Sequence, residues 1–357
     1  EDIMKKNRQR IWKRKENLIL HPRLLLFLMI VCSALLLVDF NETEADPTFI
    51  SFVKEQLIYL ASDGSALTGA AIGLPVESGS ISFLEAPTQG TPTINTTDGN
   101  NYTSENITIY NVSTADGDGD SVKNIFNWKL DGTSMTNLNM PFENITDSVF
   151  NATKDYSGYN NNGSEAAGVL WNASGGYDGK GAFEFDGTND RISIPHSASQ
   201  NIREQLTINL WAKRTGNCAN NCWMVIKQQA ASGGVANLRY GLVIIAASDK
   251  PTLSFNTGTW ADVVSTDSAV ADDVWYMITG TYDGGTAKIY INGVLNNSAA
   301  KSGNILASTA GTIEIGREIA AAAEYYKGTL DEILIYNRSL TANQVLALYE
   351  NKTDTIV

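Results

Sequence analysis

Histidine is nearly missing from this chain, with only His21 and His196 in 357 residues. That removes histidine-based metal sites. It also leaves no base for a nucleophile triad, because His196 has no Ser or Cys nucleophile motif beside it and reads as an exposed loop residue. Cysteine is equally scarce. Cys32 lies in an apolar run and reads as an inert filler, so Cys218 and Cys222, in the segment NCANNCW, are what remains for chemistry. A local disulfide pinning one loop is favoured there over a metal site, which would need further Cys or His ligands. Basic residues are in deficit too, 26 Lys and Arg against 39 Asp and Glu, for a formal net charge of −13. The first 23 residues nevertheless hold Lys5, Lys6, Arg8, Arg10, Lys13, Arg14, Lys15 and Arg23 against Glu1, Asp2 and Glu16, a net of +5, so the remainder carries −18. So acidic a body repels a phosphate backbone, and nucleic acid is excluded as a partner.

Long hydrophobic runs are absent but for one, LLLFLMIVCSALLLVDF at residues 24–40. It sits at the lower edge of the roughly 17–25 residues that span a bilayer. Basic residues crowd its N-terminal side, which predicts a single-pass anchor in the cell membrane, with residues 1–23 cytoplasmic and the body extracellular. The rival reading is a cleaved signal peptide, against which no A-x-A-like site follows the apolar core. Residues 41–79 read as a short juxtamembrane helix begun by Asp46-Pro47, then a Gly/Ala/Ser-rich linker. About a dozen N-x-[ST] sequons lie beyond the run, among them Asn101, Asn106, Asn111, Asn144, Asn151, Asn162, Asn172, Asn296 and Asn337. They support an exported body and permit glycosylation.

What the chain has in plenty is glycine (30 residues) amid Asn, Thr and Ser, with 43% apolar residues, the make-up of turn-rich β structure. The clearest stretch is WYMITGTYDGGTAKIYINGVLNNS, residues 275–298. Its apolar residues alternate with period two, and Asp283-Gly284-Gly285 and Asn292-Gly293 supply two tight turns, which together predict an antiparallel meander. The same alternation marks Phe183/Phe185, Ile192/Ile194, Leu206/Ile208/Leu210/Ala212, Ile313/Ile315 and, after a slip, Leu330/Ile333/Ile335. Trp211 and Trp275 fall on such strands and are assigned to the core. Near the end, Thr341 and Gln344 form a capping box for a last helix, whose Val345, Leu348 and Tyr349 face the sandwich.

Residues 80–138 read as short strands (Ile81–Leu84, Ile107–Tyr110 and Ile125–Trp128) of a small β-sandwich. The segment TADGDGDSVKNIFNWKLDGTSM resembles Ig-like or cadherin-like repeats of prokaryotic surface proteins. Residues 139–351 resemble the LamG-like, concanavalin A-like jelly-roll family. The resemblance rests on LNMPFE, KDYSGYNNNG, YDGKGAFEFDGTNDRISIP, LTINLWAKR, WYMITGTYDGGTAKIYINGV, IEIGRE and GTLDEILIYNRSLTANQVLALYEN, in the family's order. Similar architectures are common in predicted archaeal surface proteins. The expected architecture is therefore all-β. An Ig-like β-sandwich is followed by a concanavalin A-like/LamG jelly-roll sandwich, with an N-terminal transmembrane helix and a tail at 352–357.

No catalytic residue is expected. Glycan hydrolases on such sandwiches use acids alternating along one strand, and no strand here carries that pattern. Glu184 and Asp186 come closest, while Asp331 and Glu332 are adjacent and point to opposite sides of a regular strand. Calcium is the expected cofactor. Asp116, Asp118 and Asp120 meet the first half of a D-x-D-x-D loop, although its twelfth position is Asn127 rather than Glu. The resemblance adds Asp186, Asn189, Asp190 and Asp331 at the sandwich rim; the alternative for Asp186 and Asp190 is that they only cap their turn. Trp171, Trp260, Tyr325 and Tyr326 are the candidate platforms for a glycan, each also readable as a loop anchor. These features together predict a cell-surface adhesion or recognition protein with a glycan or glycoprotein ligand. The alternative is a structural subunit of a surface layer or filament that self-associates through its sandwiches.

Overall fold

The computed structural model describes residues 87–96, 107–117, 122–143, 151–218, 220–229, 236–264, 270–319, 324–350 and 355–356. Thr88–Ala115 and Ser121–Val357 form one compact unit. The segment at 24–40, the stalk at 41–79, Ile81–Leu84, Asp118, Asp120, Asn101, Asn106 and Asn144 lie outside the described residues. No described helix is long and apolar enough to cross a membrane.

Four short strands come first: β1 (Thr93–Thr96), β2 (Ile107–Tyr110), β3 (Lys129–Leu130) and β4 (Thr133–Ser134). The sandwich is built from β5 (Leu138–Met140), β6 (Ser164–Ala166), β7 (Leu170–Asn172), β8 (Ala182–Asp186), β9 (Arg191–Ile194), β10 (Leu206–Arg214) and β11 (Cys222–Gln228). It continues with β12 (Leu238–Ile245), β13 (Lys250–Asn256), β14 (Trp260–Val264), β15 (Trp275–Tyr282), β16 (Thr286–Ile291), β17 (Val294–Ala300), β18 (Ile313–Ile315) and β19 (Lys327–Tyr336). Helix α1 (Ala342–Tyr349) and β20 (Thr355–Ile356) close the chain.

One sheet runs β17-β16-β15-β10-β19-β8-β7 with β5 also on β19, eight strands in all; the other runs β14-β13-β12-β11-β18-β9-β6. Their inward side chains form one core. Ile208, Leu210, Ile278, Ile289, Phe183 and Ile333 come from the first sheet, and Met224, Tyr240, Leu242, Leu253, Phe255 and Ile313 from the second. Phe255 and Tyr282 meet across the layers with ring centroids 4.5 Å apart. Gly280 faces Leu253, and a Cβ there would lie 2.7 Å from a Leu253 methyl, so the absence of a side chain is what lets the layers close at that point.

The meander forms as the sequence predicts. The Asp283 carboxylate accepts from Gly285 N at 2.9 Å and Thr286 N at 2.7 Å. Asn292 and Gly293 turn with φ of 50° and 80°, and Asn292 Oδ1 takes Met277 N–H at 2.9 Å. The capping box is present as well, with Gln344 N donating to Thr341 Oγ1 at 3.3 Å and Thr341 N to Gln344 Oε1 at 3.0 Å. Val345 and Leu348 pack with Trp211, Met277, Tyr290, Leu334 and Tyr336 on the outer side of the eight-stranded sheet. Trp211 is thus buried beneath the helix, not between the sheets.

Of the strands expected in residues 80–138, Ile107–Tyr110 forms as β2. The described strands there make a three-stranded sheet, β1-β2-β20, and a two-stranded hairpin, β3-β4, and no second sandwich forms among the described residues. Ile125–Trp128 is not a strand. The stretch 122–128 instead runs over the outer side of the eight-stranded sheet, its backbone satisfied by side chains and turns. Asn139 Nδ2 donates to Phe126 O at 3.0 Å, Lys180 Nζ to Val122 O at 3.1 Å, and Met135 N to Trp128 O at 2.8 Å.

Candidate functional site

The outer side of the eight-stranded sheet carries a groove of about 480 Å³ between the 122–128 stretch, the sheet and α1. Two of its aromatic faces are already used. Tyr177 stacks on Trp211 at 4.0 Å and 5°, and Trp211 on Tyr349 at 5.7 Å. Its acids are used too. Ligand atoms of Glu143, Asp178 and Glu332 converge within 4.8 Å of one another. Lys123 Nζ lies among them, 2.7 Å from Glu143 and 2.9 Å from Asp178, and bonded to Glu332 as well.

A β-bulge sets this cluster up. The β10–β19 register shifts between Asn209 and Trp211, and Glu332 takes φ of 52°. The adjacent Asp331 and Glu332 are thereby brought to the same outer side, not to opposite sides as a regular strand requires. Asp331 is fully buried, accepting Tyr177 N at 3.2 Å and Glu332 N at 2.8 Å. Burial opposes the Lys123 charge, but the Glu332 carboxylate and three hydrogen bonds outweigh it and raise the lysine pKa. Three carboxylates and Asp331 about one ammonium leave surplus negative charge, so burial raises the pKa of both Asp331 and Glu332 despite Lys123.

The outer side of the seven-stranded sheet is different. A groove of about 220 Å³ lies there, smaller than the roughly 300–1,000 Å³ of sites for drug-sized ligands. Its floor is Trp223, Ile226, Leu238 and Val243. The β11–β12 register shift between Trp223 and Val225 keeps Trp223 and Ile226 on this side while Met224 and Val225 enter the core. Gly241 of β12 makes room for the indole, since a Cβ there would lie 2.9 Å from Trp223 Cζ3. Trp260 stands at the edge, 40% exposed, and shares one face of β14 with Asp262 two residues on.

Indole N–H groups fix the carboxylates of this groove. Trp260 Nε1 donates to Asp262 Oδ1 at 2.5 Å, and Ser254 Oγ donates to the same oxygen. Trp223 Nε1 donates to Glu324 Oε2 at 2.7 Å, and Asn221 Nδ2 to Glu324 Oε1 at 3.4 Å. Gln228 Nε2 donates to Glu318, whose backbone N–H meets Glu324 O at 3.1 Å. Burial raises the Glu324 pKa and the Glu318 charge adds to it, against the Trp223 and Asn221 bonds. An apolar floor, a half-exposed indole and fixed hydrogen-bond acceptors can hold a small ligand with one apolar and one polar face.

Residues 186–346 match the concanavalin A-like lectin/glucanases superfamily. The match takes in every sandwich strand from β9 to β19 and reaches into α1. No curated protein matches the chain in sequence. Among solved structures, it is similar to the binding domain of Paraclostridial Mosquitocidal Protein 1 (19% identity, TM-score 0.48, 61% of this chain and 52% of that one). Domain 4 of AbnA, a GH43 extracellular arabinanase from Geobacillus stearothermophilus in complex with arabinotriose, is similar at 17% identity and TM-score 0.46, over 60% of this chain and 98% of that one. The botulinum neurotoxin serotype G binding domain is similar at 18% identity and TM-score 0.46, over 61% and 51%. The chain thus spans about half the length of the toxin domains.

In the structure the expected site residues scatter. Trp260 lies in the groove. Trp171 is half-buried at β7 and donates to Phe142 O at 2.8 Å. Tyr325 pairs in a β-bridge with Arg317. Tyr326 is no platform: it is fully buried, edge-on to Phe185 at 6.1 Å. Asp186 Oδ1 accepts from Thr188 N at 2.7 Å and Asn189 N at 3.3 Å, and Asp190 Oδ2 from Asp186 N at 2.9 Å, so this turn uses its acids as caps. Asp116 lies in a loop remote in sequence from both. A calcium ion at Glu143, Asp178 and Glu332 would have to displace an ammonium that already bonds all three.

Cys218 and Cys222 are disulfide-bonded, with Cα atoms 5.7 Å apart. His196 is not a free loop residue, because its Nδ1 lies 3.1 Å from Nζ of the buried Lys227. Among the sequons, Asn111 and Asn337 are exposed, while Asn172 commits its amide to Glu184 at 2.6 Å and Asn162 accepts Asp155 N at 2.8 Å. Asn151 lies in a short 3₁₀ turn, and Asn296 is half-buried in β17.

Proposed function

We propose that the domain is a non-catalytic carbohydrate-binding unit of an exported surface protein, and that the groove over Trp223 and beside Trp260 is its sugar site. One observation carries the reading: a 40% exposed indole with a carboxylate on its own strand face, over an apolar floor. Sugar rings present an apolar C–H face and a polar hydroxyl edge, and this is the complementary surface. The lectins named in the matched superfamily support it, as do the disulfide and the sequons for export. Adhesion through a glycan or glycoprotein is the role that follows, with residues 24–40 as the membrane tether.

A glycan array followed by calorimetry on the full chain tests this. Trp260→Ala should weaken any glycan bound by about tenfold or more, corresponding to about 1.4 kcal/mol, with the melting temperature unchanged. Binding indifferent to Trp260 would refute the site. A second reading, a self-associating structural subunit, draws on Ile94, Ile107, Tyr110 and Val112, which are all exposed on or beside the three-stranded sheet. Concentration-dependent assembly of the purified chain in sedimentation velocity, lost on replacing Ile94 with Lys, would favour it.

A further inference from the structure

The groove on the seven-stranded sheet has charge of one sign only. Asp262, Glu318 and Glu324 line it, and no Lys or Arg does. Of the segments that border it in sequence, residues 229–237, 257–273 and 319–325 contain neither Lys nor Arg, and the β12–β13 turn brings one cation, Lys250, opposite Ile245. At three other places in the domain, acids meet an internal cation. Lys123 bonds Glu143, Asp178 and Glu332; Arg317 bonds Glu314 at 3.0 Å; Arg214 bonds Asp272 at 2.7 Å and also Asp249. At Asp262 and Glu324 the side-chain donors are neutral: two indoles, a hydroxyl and an amide. Both bonds to Asp262 fall on Oδ1, leaving Oδ2 available to a ligand.

We infer that the groove selects a cationic amino sugar, one with a free ammonium on the ring, and rejects anionic sugars. This rests on the reading of the groove as a sugar site and names its ligand class. The ring's C–H face lies against Trp260, and the ammonium meets the Asp262 carboxylate, while Glu324, held by Trp223 on β11, adds to the negative potential of the groove. Charge-assisted hydrogen bonds to the carboxylates and attraction to the indole face both favour a cation. A uronate, sialate or sulfate on the same ring would confront three carboxylates with no Lys or Arg among the lining residues, and would be excluded by like-charge repulsion.

The test is calorimetry on the full chain with three probes of matched length: glucosamine oligosaccharides, their N-acetylated forms and galacturonate oligosaccharides. A lysine oligopeptide serves as a control for attraction to the net charge. The amine form should bind about tenfold or more tighter than the acetylated form at low salt, with the gap narrowing in high salt and no binding of the uronate. Asp262→Asn combined with Glu324→Gln should erase the preference for the amine while leaving residual N-acetyl binding, and Trp260→Ala should abolish both. Equal affinity for the amine and acetylated forms, tighter uronate binding, or lysine peptide competing as well as the sugar would each overturn the cationic preference while leaving the sugar site standing. Binding of none of the three sugars would overturn both.

Discussion

The two outer sides of this sandwich face solvent from the same core, yet they spend their residues differently. On the eight-stranded sheet, Tyr177, Trp211 and Tyr349 stack on one another, and the acids close round Lys123. On the seven-stranded sheet, Trp260 stacks on nothing among the described residues, and the acids are held only by neutral donors. The larger groove is therefore the poorer binding candidate where Tyr177 and Trp211 stack and the acids surround Lys123, because those rings and charges already satisfy each other. Volume ranks these grooves one way, and residual valence ranks them the other.

The sharpest way to break this contrast is to truncate one tryptophan on each side. Trp211→Ala should cost about 3–5 kcal/mol of unfolding free energy in urea, as for a large buried aromatic, while Trp260→Ala should stay within about 0.5 kcal/mol. Equal costs would mean that the two indoles do the same structural job.

A somewhat smaller effect follows from removing the internal cation. The four side chains are 17–18% exposed, so Lys123→Met should destabilise by about 2–3 kcal/mol, below the cost of breaking a fully buried pair. Melting of the parent should not respond to millimolar calcium, whereas the variant, with three converging carboxylates freed, should gain stability from it. A parent that responds as strongly as the variant would show that the lysine is no substitute for a metal.

The smallest effect is a pH dependence. Burial, with the Glu332 charge beside it, raises the folded pKa of Asp331 above the unfolded one. Stability from this group is full below the unfolded carboxylate range and is lost as pH rises through the folded value. Asp331→Asn, which stays neutral, should match the parent at acid pH and gain on it steadily towards neutrality in denaturant titrations. A constant difference across pH would contradict the assignment.

The inner face of the fold was legible in the sequence because it is written locally. Alternation along β10, β15 and β16, the Asp283 and Asn292 turns, the Thr341–Gln344 box and the Cys218–Cys222 pair each depend on residues within a few positions. The candidate site was not. Trp223 and Asp262 lie on strands separated by β12 and β13, and Glu318 and Glu324 follow β18, so sheet order brings together what no spacing rule could. Trp260, which lines the groove, carries a local signal, an aromatic in a polar context. Tyr326 gave the same signal wrongly, since Gly328 and the start of β19 carry it inward. The Asp331–Glu332 pair was misread because a bulge shifts the parity of the strand, and only the slip in the hydrophobic pattern hinted at it. Ile125–Trp128 has the residues of a strand but is fixed by long-range hydrogen bonds to Asn139 and Ser157 instead.

The ammonium of Lys123 is a counter-ion on a leash. A free ion leaves when its concentration drops, whereas one tied to the backbone stays at a high effective concentration whatever the medium holds. Since the leash is the stretch lying across the helix-bearing sheet, the attachment of residues 122–128 to the body is set by the chain itself. It should persist in waters poor in divalent salts, where a metal-clamped surface domain would loosen.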